Sequence, residues 1–253
     1  EVPAGRYILD ITAAGSSDIV ASYEADLSGL AGGAGVVFAS GFLNPGMNQP
    51  AFGLFVALPD GSVVELTAVQ VASLQIVHNS PSPTVDVWIN GEKAIENFAF
   101  RSATPFLEAP AGIPLQVGVA PSPSNDPSEI IASFDVTLED GGTYIAIANG
   151  VVGDPNTPFN LEIISDARTA ATDPGNVDLV VFHGSPDAPA VDVLANGGTP
   201  PIVDDLAFAE NSGYISVPAG SYDLNITPAD DNSNILLTYR ADVSSLGGGA
   251  GMV

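Results

Sequence analysis

The sequence predicts an all-β protein built of tandem immunoglobulin-like antiparallel β-sandwich domains, with partial domains at both ends. Three observations predict it. Apolar and polar residues alternate with period two in short segments rich in Val, Ile, Tyr and Phe. Turn formers punctuate these segments, with 27 glycines and 21 prolines in 253 residues. The chain also repeats itself at the length of one sandwich domain. No stretch carries helical periodicity over three turns.

The repeat is read directly. "VPAGRYILDIT" (Val2 to Thr12) matches "VPAGSYDLNIT" (Val217 to Thr227) at eight of eleven positions. "IVASYEADLSGLAGGAGVV" (Ile19 to Val37) then lies over "ILLTYRADVSSLGGGAGMV" (Ile235 to Val253). A more distant copy, "APAGIPLQVGVAP" (Ala109 to Pro121), occupies the middle. His78 and His183 open two His-x-Ser-Pro phrases 105 residues apart. The expected organisation is therefore the second half of a repeat at 1–69, a whole repeat at 70–176, and a repeat lacking its last strands at 177–253. The segment opens at Glu1 with no leader and reads as processed, or as a window on a longer array.

Within the whole repeat the pattern predicts strands at Ser73–His78, Thr84–Ile89, Ala94–Phe100, Thr104–Glu108, Pro114–Pro121, Ile130–Leu138, Thr143–Asn149 and Phe159–Ser165. "NGE", "PAG", "PSPSNDPS", "EDGG" and "GDPNTP" supply the turns between them. "TAVQVAS" (Thr67 to Ser73) and "DARTAATDPG" (Asp166 to Gly175) read as linkers between repeats.

Charge narrows the function classes. Thirty acidic residues against five basic give a formal charge of −25. Nucleic acid and anionic membrane surfaces would repel such a chain. No apolar run is long enough for a spanning helix. The absence of cysteine fits any compartment; the acidity suits a cell-surface or high-salt setting.

At "HGSPDAPAVDVLANG" the sequence resembles the domain of unknown function 4397, whose members open with a His-x-Ser-Pro-Asp-Ala-Pro-x-Val-Asp-Val phrase and continue to a Val-Pro-Ala-Gly-x-Tyr strand pair. The match falls on His183, Ser185, Asp187 and Asp192. The second phrase, with His78, Ser80 and Asp86, is one residue shorter and carries Ser82 where the family has Asp. The resemblance implies a secreted or surface-attached β-sandwich, often in tandem, and no known activity.

The order His, Ser, Asp invites a hydrolase reading. A triad needs the serine Oγ within hydrogen-bond reach of the imidazole and an oxyanion site beside them. The two residues here stand two apart at one strand end, and the serine precedes a proline. The expected roles are a turn hydrogen bond for the serine and a loop-carbonyl bond for the histidine. No nucleophile elbow is present. Two histidines a repeat apart, with no cysteine, do not make a zinc centre. No cofactor is expected. Calcium has one candidate, Asp230, Asn232 and Asn234 at alternate positions, without the glycine and glutamate of an EF-hand loop; "AGSSD" from Ala14 is a sparser counterpart. Lys93, the lone lysine, is expected to be exposed, Asp204–Asp205 to be a charged loop end, and Trp88 to pack in a core or between repeats.

The expectation is thus a non-enzymatic, extracellular or cell-surface structural protein. It would form a filament by head-to-tail linkage with other copies of itself, with strand sharing as one route. Phe38, Phe42, Phe52, Leu54, Val56 and Val253 are the strand-completion candidates. The alternative is an adhesin that binds a glycan or surface partner through sandwich loops.

Overall fold

A computed structural model of the chain describes residues 2–12, 14–15 and 19–253. The described residues form 22 strands and two short 3-10 turns. The chain divides into two compact units, Glu1–Val71 and Ala72–Val253.

The first unit holds β1 (Arg6–Thr12), β2 (Ile19–Asp26), β3 (Val36–Ser40), β4 (Gly53–Ala57), β5 (Val63–Glu65) and β6 (Thr67–Ala68). They form two three-stranded sheets, ordered β1-β2-β6 and β3-β4-β5. Tyr23, Ala25, Leu54, Val56 and Leu66 close its core. Thr67 and Ala68 pair with β2, so the "TAVQVAS" segment is not a free linker: its start completes one sheet and its end opens the next strand.

The second unit contains two repeats. The first of them runs through β7 (Val71–His78), β8 (Val85–Ile89), β9 (Glu92–Phe98), β10 (Ser102–Ala103), β11 (Leu107–Pro110), β12 (Pro114–Pro121), β13 (Ala132–Thr137), β14 (Thr143–Asn149) and β15 (Asn160–Ile164). One sheet is ordered β10-β7-β14-β15, with β11 also on β7, and the other β13-β12-β8-β9. The strand expected at Thr104–Glu108 thus forms only from Leu107 onward, in β11, although Thr104 N still donates to Ile76 O of β7. The other repeat has β16 (Asn176–Phe182), β17 (Val191–Ala195), β18 (Val203–Leu206), β19 (Asn211–Pro218), β20 (Ser221–Pro228), β21 (Leu237–Asp242) and β22 (Ala250–Met252). Its sheets are β19-β16-β22 and β18-β17-β20-β21. Hairpin neighbours pair antiparallel, while β14 runs parallel to β7, and β22 parallel to β16.

Each repeat closes its own sandwich. Val85, Val87, Phe98 and Val119 pack against Ile76 and Phe159; Val191, Val193, Val203 and Leu206 pack against Val181 and Ile215. A further apolar cluster joins the two repeats: Ile145, Ile147, Ile164 and Ala167 meet Val180, with Val77, Phe106, Tyr214 and Met252 around them. The sheets of β14 and β16 therefore stack back to back. This explains why "TYIAIAN" in β14 is apolar on consecutive residues: from Tyr144 to Asn149 every position is buried. A strand covered on both faces has no polar side to alternate with.

The "DARTAATDPG" segment is pinned rather than loose. Ala167 is buried in the inter-repeat cluster. Arg168 Nη1 lies 2.7 Å from Asp178 Oδ2, its guanidinium lies over the Tyr214 ring at 4.6 Å, and Thr172 donates to the same carboxylate oxygen. The nearby Ser216 hydroxyl, then Arg168 and Thr172, lower the Asp178 carboxyl to about 2. Phe100, expected to end the Ala94–Phe100 strand, lies beyond the end of β9 and stands exposed at a turn with Arg101 over its ring.

Ile147 is fully buried in the inter-repeat cluster, so Ile147→Ala removes packing from both repeats at once. We expect a loss of about 2–5 kcal/mol, read as a lower denaturant midpoint, with a single transition retained.

Candidate functional site

The two His-x-Ser-Pro phrases end β7 and β16 and fold alike. His78 Nε2 lies 3.0 Å from Pro83 O, and His183 Nε2 lies 2.9 Å from Pro189 O. The other ring nitrogen, Nδ1, accepts the backbone N–H of Ser80 at 3.4 Å in one phrase and of Ser185 at 3.3 Å in the other. A carbonyl can only accept and an amide N–H can only donate. The ring is therefore neutral, protonated on Nε2. His78 stacks on Phe98 with centroids 5.7 Å apart, and His183 meets Phe208 edge-on at 6.3 Å.

Both ring nitrogens are thus committed to backbone, and neither serine Oγ reaches them. Ser80 Oγ is buried without a hydrogen-bond partner among the described residues; Ser185 and Asp187 are exposed in the turn. Asp86 and Asp192 are buried on the following strands and bond elsewhere. The phrase works as a turn clamp and does not assemble a Ser–His dyad. It also lies at the junction of the repeats: Asn79 Nδ2 donates to Asn149 Oδ1 and across to Gly184 O, each at 3.1 Å. A Cβ at position 184 would fall 1.9 Å from that nitrogen, so the x of the second phrase is glycine because the x of the first reaches over it.

The buried aspartates are the electrostatic centre of each repeat. Asp86 Oδ1 accepts Asn97 N at 2.9 Å, and Oδ2 accepts Ser124 N and Oγ at 2.7 and 2.8 Å. Burial alone would raise this carboxyl; the amides of Asn97 and Ser124, with the Ser124 hydroxyl, outweigh it and hold it far below the usual carboxylate range. Lys93 is not exposed. Its Nζ lies 3.5 Å from Asp86 Oδ2 and 3.3 Å from Glu96 Oε1, donates to Ser124 O, and sits 5.4 Å from the centre of the Trp88 ring. Trp88 is buried in the core, its Nε1 donating to Ser124 Oγ at 3.0 Å.

Asp192 in the other repeat has a different neighbourhood. Its Oδ1 accepts Asp205 N at 2.7 Å, and carboxylate oxygens of Asp192, Asp204 and Asp205 lie within 4.8 Å of one another. Desolvation, then the charges of Asp204, Asp230 and Asp192, raise the Asp205 carboxyl. Of the alternate-position calcium candidates, Asp230 borders this group. Asn232 Oδ1 instead accepts Thr227 Oγ1 at 3.0 Å, and Asn234 N donates to Asp231 O. In "AGSSD", Ser16 to Asp18 lie outside the described residues. In the sequence Asp192 belongs to the phrase and Asp204–Asp205 to a charged loop end; the β17–β18 pairing brings them together.

The strand-completion candidates divide. Leu54 and Val56 are buried in the core of their own unit, with Phe52 packed against them; they already have partners. Phe38 and Phe42 are exposed. Val253 exchanges backbone hydrogen bonds with Val180 and Phe182.

Two expectations follow. Burial holds the His78 imidazole below its usual 6.5, and the bond to Pro83 only partly opposes it. Above pH 6.5 the ring is neutral folded and unfolded, and the full stability is present. Below it the unfolded chain takes up the proton first, so stability falls until the folded value is passed. Melting curves of wild type should shift down between pH 7 and 5, and His78→Gln should flatten that slope. Ser80→Ala removes a buried hydroxyl that bonds to nothing, and should be neutral or stabilising by about 1 kcal/mol in chemical denaturation.

No curated protein matches the chain. A family model, Domain of unknown function (DUF4397), matches residues 72–194 and again 177–245, the stretches that hold the two clamped histidine phrases and their sandwiches. The chain belongs to the DUF4397 family.

Proposed function

We propose that this chain is a non-enzymatic structural protein that builds an extracellular, cell-surface filament from like β-sandwich repeats joined end on. The observation that carries this reading is the state of β3. Its "GAGVV" lead matches the "GAGMV" of β22, so β3 is the counterpart of β22, and through it of β14. Those two strands lie beside β16 and β7. Among the described residues β3 pairs in its sheet only with β4, and Val36, Val37 and Phe38 are 65%, 47% and 38% exposed. β14, by contrast, is buried on both faces.

An unpaired edge next to exposed apolar side chains recruits a strand. In the sister repeats this edge carries a strand of the β16 type; because β7 and β16 are already paired on both sides, the occupant from a second copy is an edge strand such as β19. A contact between unlike surfaces that does not close on itself propagates into a filament. The back-to-back stacking of repeats would stiffen it. The histidine phrases, with both ring nitrogens committed, favour structure over catalysis. A charge of −25 keeps such assemblies apart laterally and makes their growth dependent on salt.

Light scattering and negative-stain imaging across concentration and salt test the reading. Elongated assemblies that lengthen with concentration are expected, and Val36→Asp with Phe38→Asp should reduce them while leaving the fold intact. Compact monomers under all conditions, or unchanged assembly in the double variant, would overturn it.

A further inference from the structure

The two repeats solve one problem in different ways. Each buries an aspartate at the second position of its Val-Asp-Val strand, Asp86 and Asp192, both 1% exposed. Strand register makes their surroundings comparable. Val85 pairs with Phe98 and Val87 with Ile95; Val191 pairs with Leu206 and Val193 with Val203. Glu96 therefore corresponds to Asp204, and Asn97 to Asp205. The last pair share a left-handed backbone, φ 52° and 53°, and each donates its amide to the buried carboxylate.

In the first of these repeats a cation occupies the space between the corresponding acids: the Lys93 ammonium contacts Asp86 and Glu96. In the other, both acids are present, a third carboxylate replaces Asn97, and no ammonium among the described residues reaches them. Arg240, the one basic residue from β16 onward, pairs with Asp223. Asp192 Oδ2 takes no hydrogen bond among the described residues, while Oδ1 takes only the Asp205 amide. A buried carboxylate with an unused oxygen, facing two further carboxylates, lacks the counter-charge that its sister has.

We propose that this repeat binds a divalent cation of the hard, oxygen-seeking kind, Ca²⁺, through Asp192, Asp204 and Asp205. The ion would stand where the other repeat places the Lys93 ammonium. All three donors are carboxylate oxygens, which suit Ca²⁺ over the nitrogen- and sulfur-seeking metals. The 4.8 Å spread of the oxygens matches the loose shell of Ca²⁺ at about 2.3–2.6 Å per ligand. Asp230, near enough to act on Asp205, adds negative charge at the rim. The site stands on the structure of one repeat and is independent of filament formation.

Calorimetric titration of CaCl₂ into the chelator-treated full chain, with parallel melting curves at matched ionic strength, tests the proposal. Wild type should show one saturable site and a rise in melting temperature with Ca²⁺. Asp204→Asn with Asp205→Asn, both exposed, should bind at least tenfold more weakly and lose the Ca²⁺-dependent shift. In chelator the same double variant should melt no lower than wild type, because it relieves repulsion. Asp187→Asn, an exposed acid of the same repeat, should leave affinity unchanged. Absence of binding by wild type up to about 10 mM, beyond the range of extracellular calcium modules, would overturn the proposal. So would equal binding by wild type and the double variant, as general screening of an acidic surface would give.

Discussion

The stacking of two sheets back to back is the constraint on which the rest of Ala72–Val253 depends. Ile145 and Ile147 of one repeat meet Val180 of the next, all three at most 2% exposed. Each sheet thus has an inner face in its own sandwich and an outer face in the shared cluster. A sheet covered on both sides tolerates parallel pairing and continuous apolar sequence, and both appear here, in β7 with β14 and in β16 with β22. The strand ends at this junction carry the histidine phrases, so the clamp and the inter-repeat contact share residues. Asn79 and Gly184 make the link explicit, one side chain needing the space that the other residue leaves open.

Within each sandwich the polar interior is small and strongly organised. Histidines bridge a strand end to a proline carbonyl, and aspartates gather the amides of the facing strand. A buried charge is tolerable only when its hydrogen bonds and counter-charge are supplied. Asp178 has Arg168 and Asp86 has Lys93, which places two of the chain's five basic residues on buried carboxylates. Asp192 sits instead among acids, and that asymmetry between otherwise parallel repeats is the most chemically informative feature of the molecule.

Much of this architecture is legible in the sequence, for definite reasons. Repeats, turn residues and period-two alternation are local signals, and they locate most strands to within a residue or two. The back-to-back contact has a local trace as well, the run of apolar residues from Tyr144 to Ala148, which departs from alternation. What stays hidden is what depends on distant partners. Lys93 beside an Asn-Gly turn reads as solvent-exposed because Asp86 and Ser124 come to it from other strands. "DARTAATDPG" has the composition of a linker, and only the Arg168–Asp178 pair shows it to be held. Asp204 and Asp205 look like a loop end until the bulged β17–β18 register sets them opposite Asp192. One signal was available: the repeat that lacks a lysine after its Val-Asp-Val strand also replaces Asn97 with an acid.

Native-state hydrogen exchange on the full chain tests the central claim most directly, because it reads the opening free energy of each strand separately. If the shared cluster joins the two repeats into one cooperative body, the amides of β14 and β16 exchange last, and with a common opening free energy. Early exchange of β16 while β14 stays protected, or the reverse, would mean that each sandwich stands alone and that the stacked interface does not hold them together.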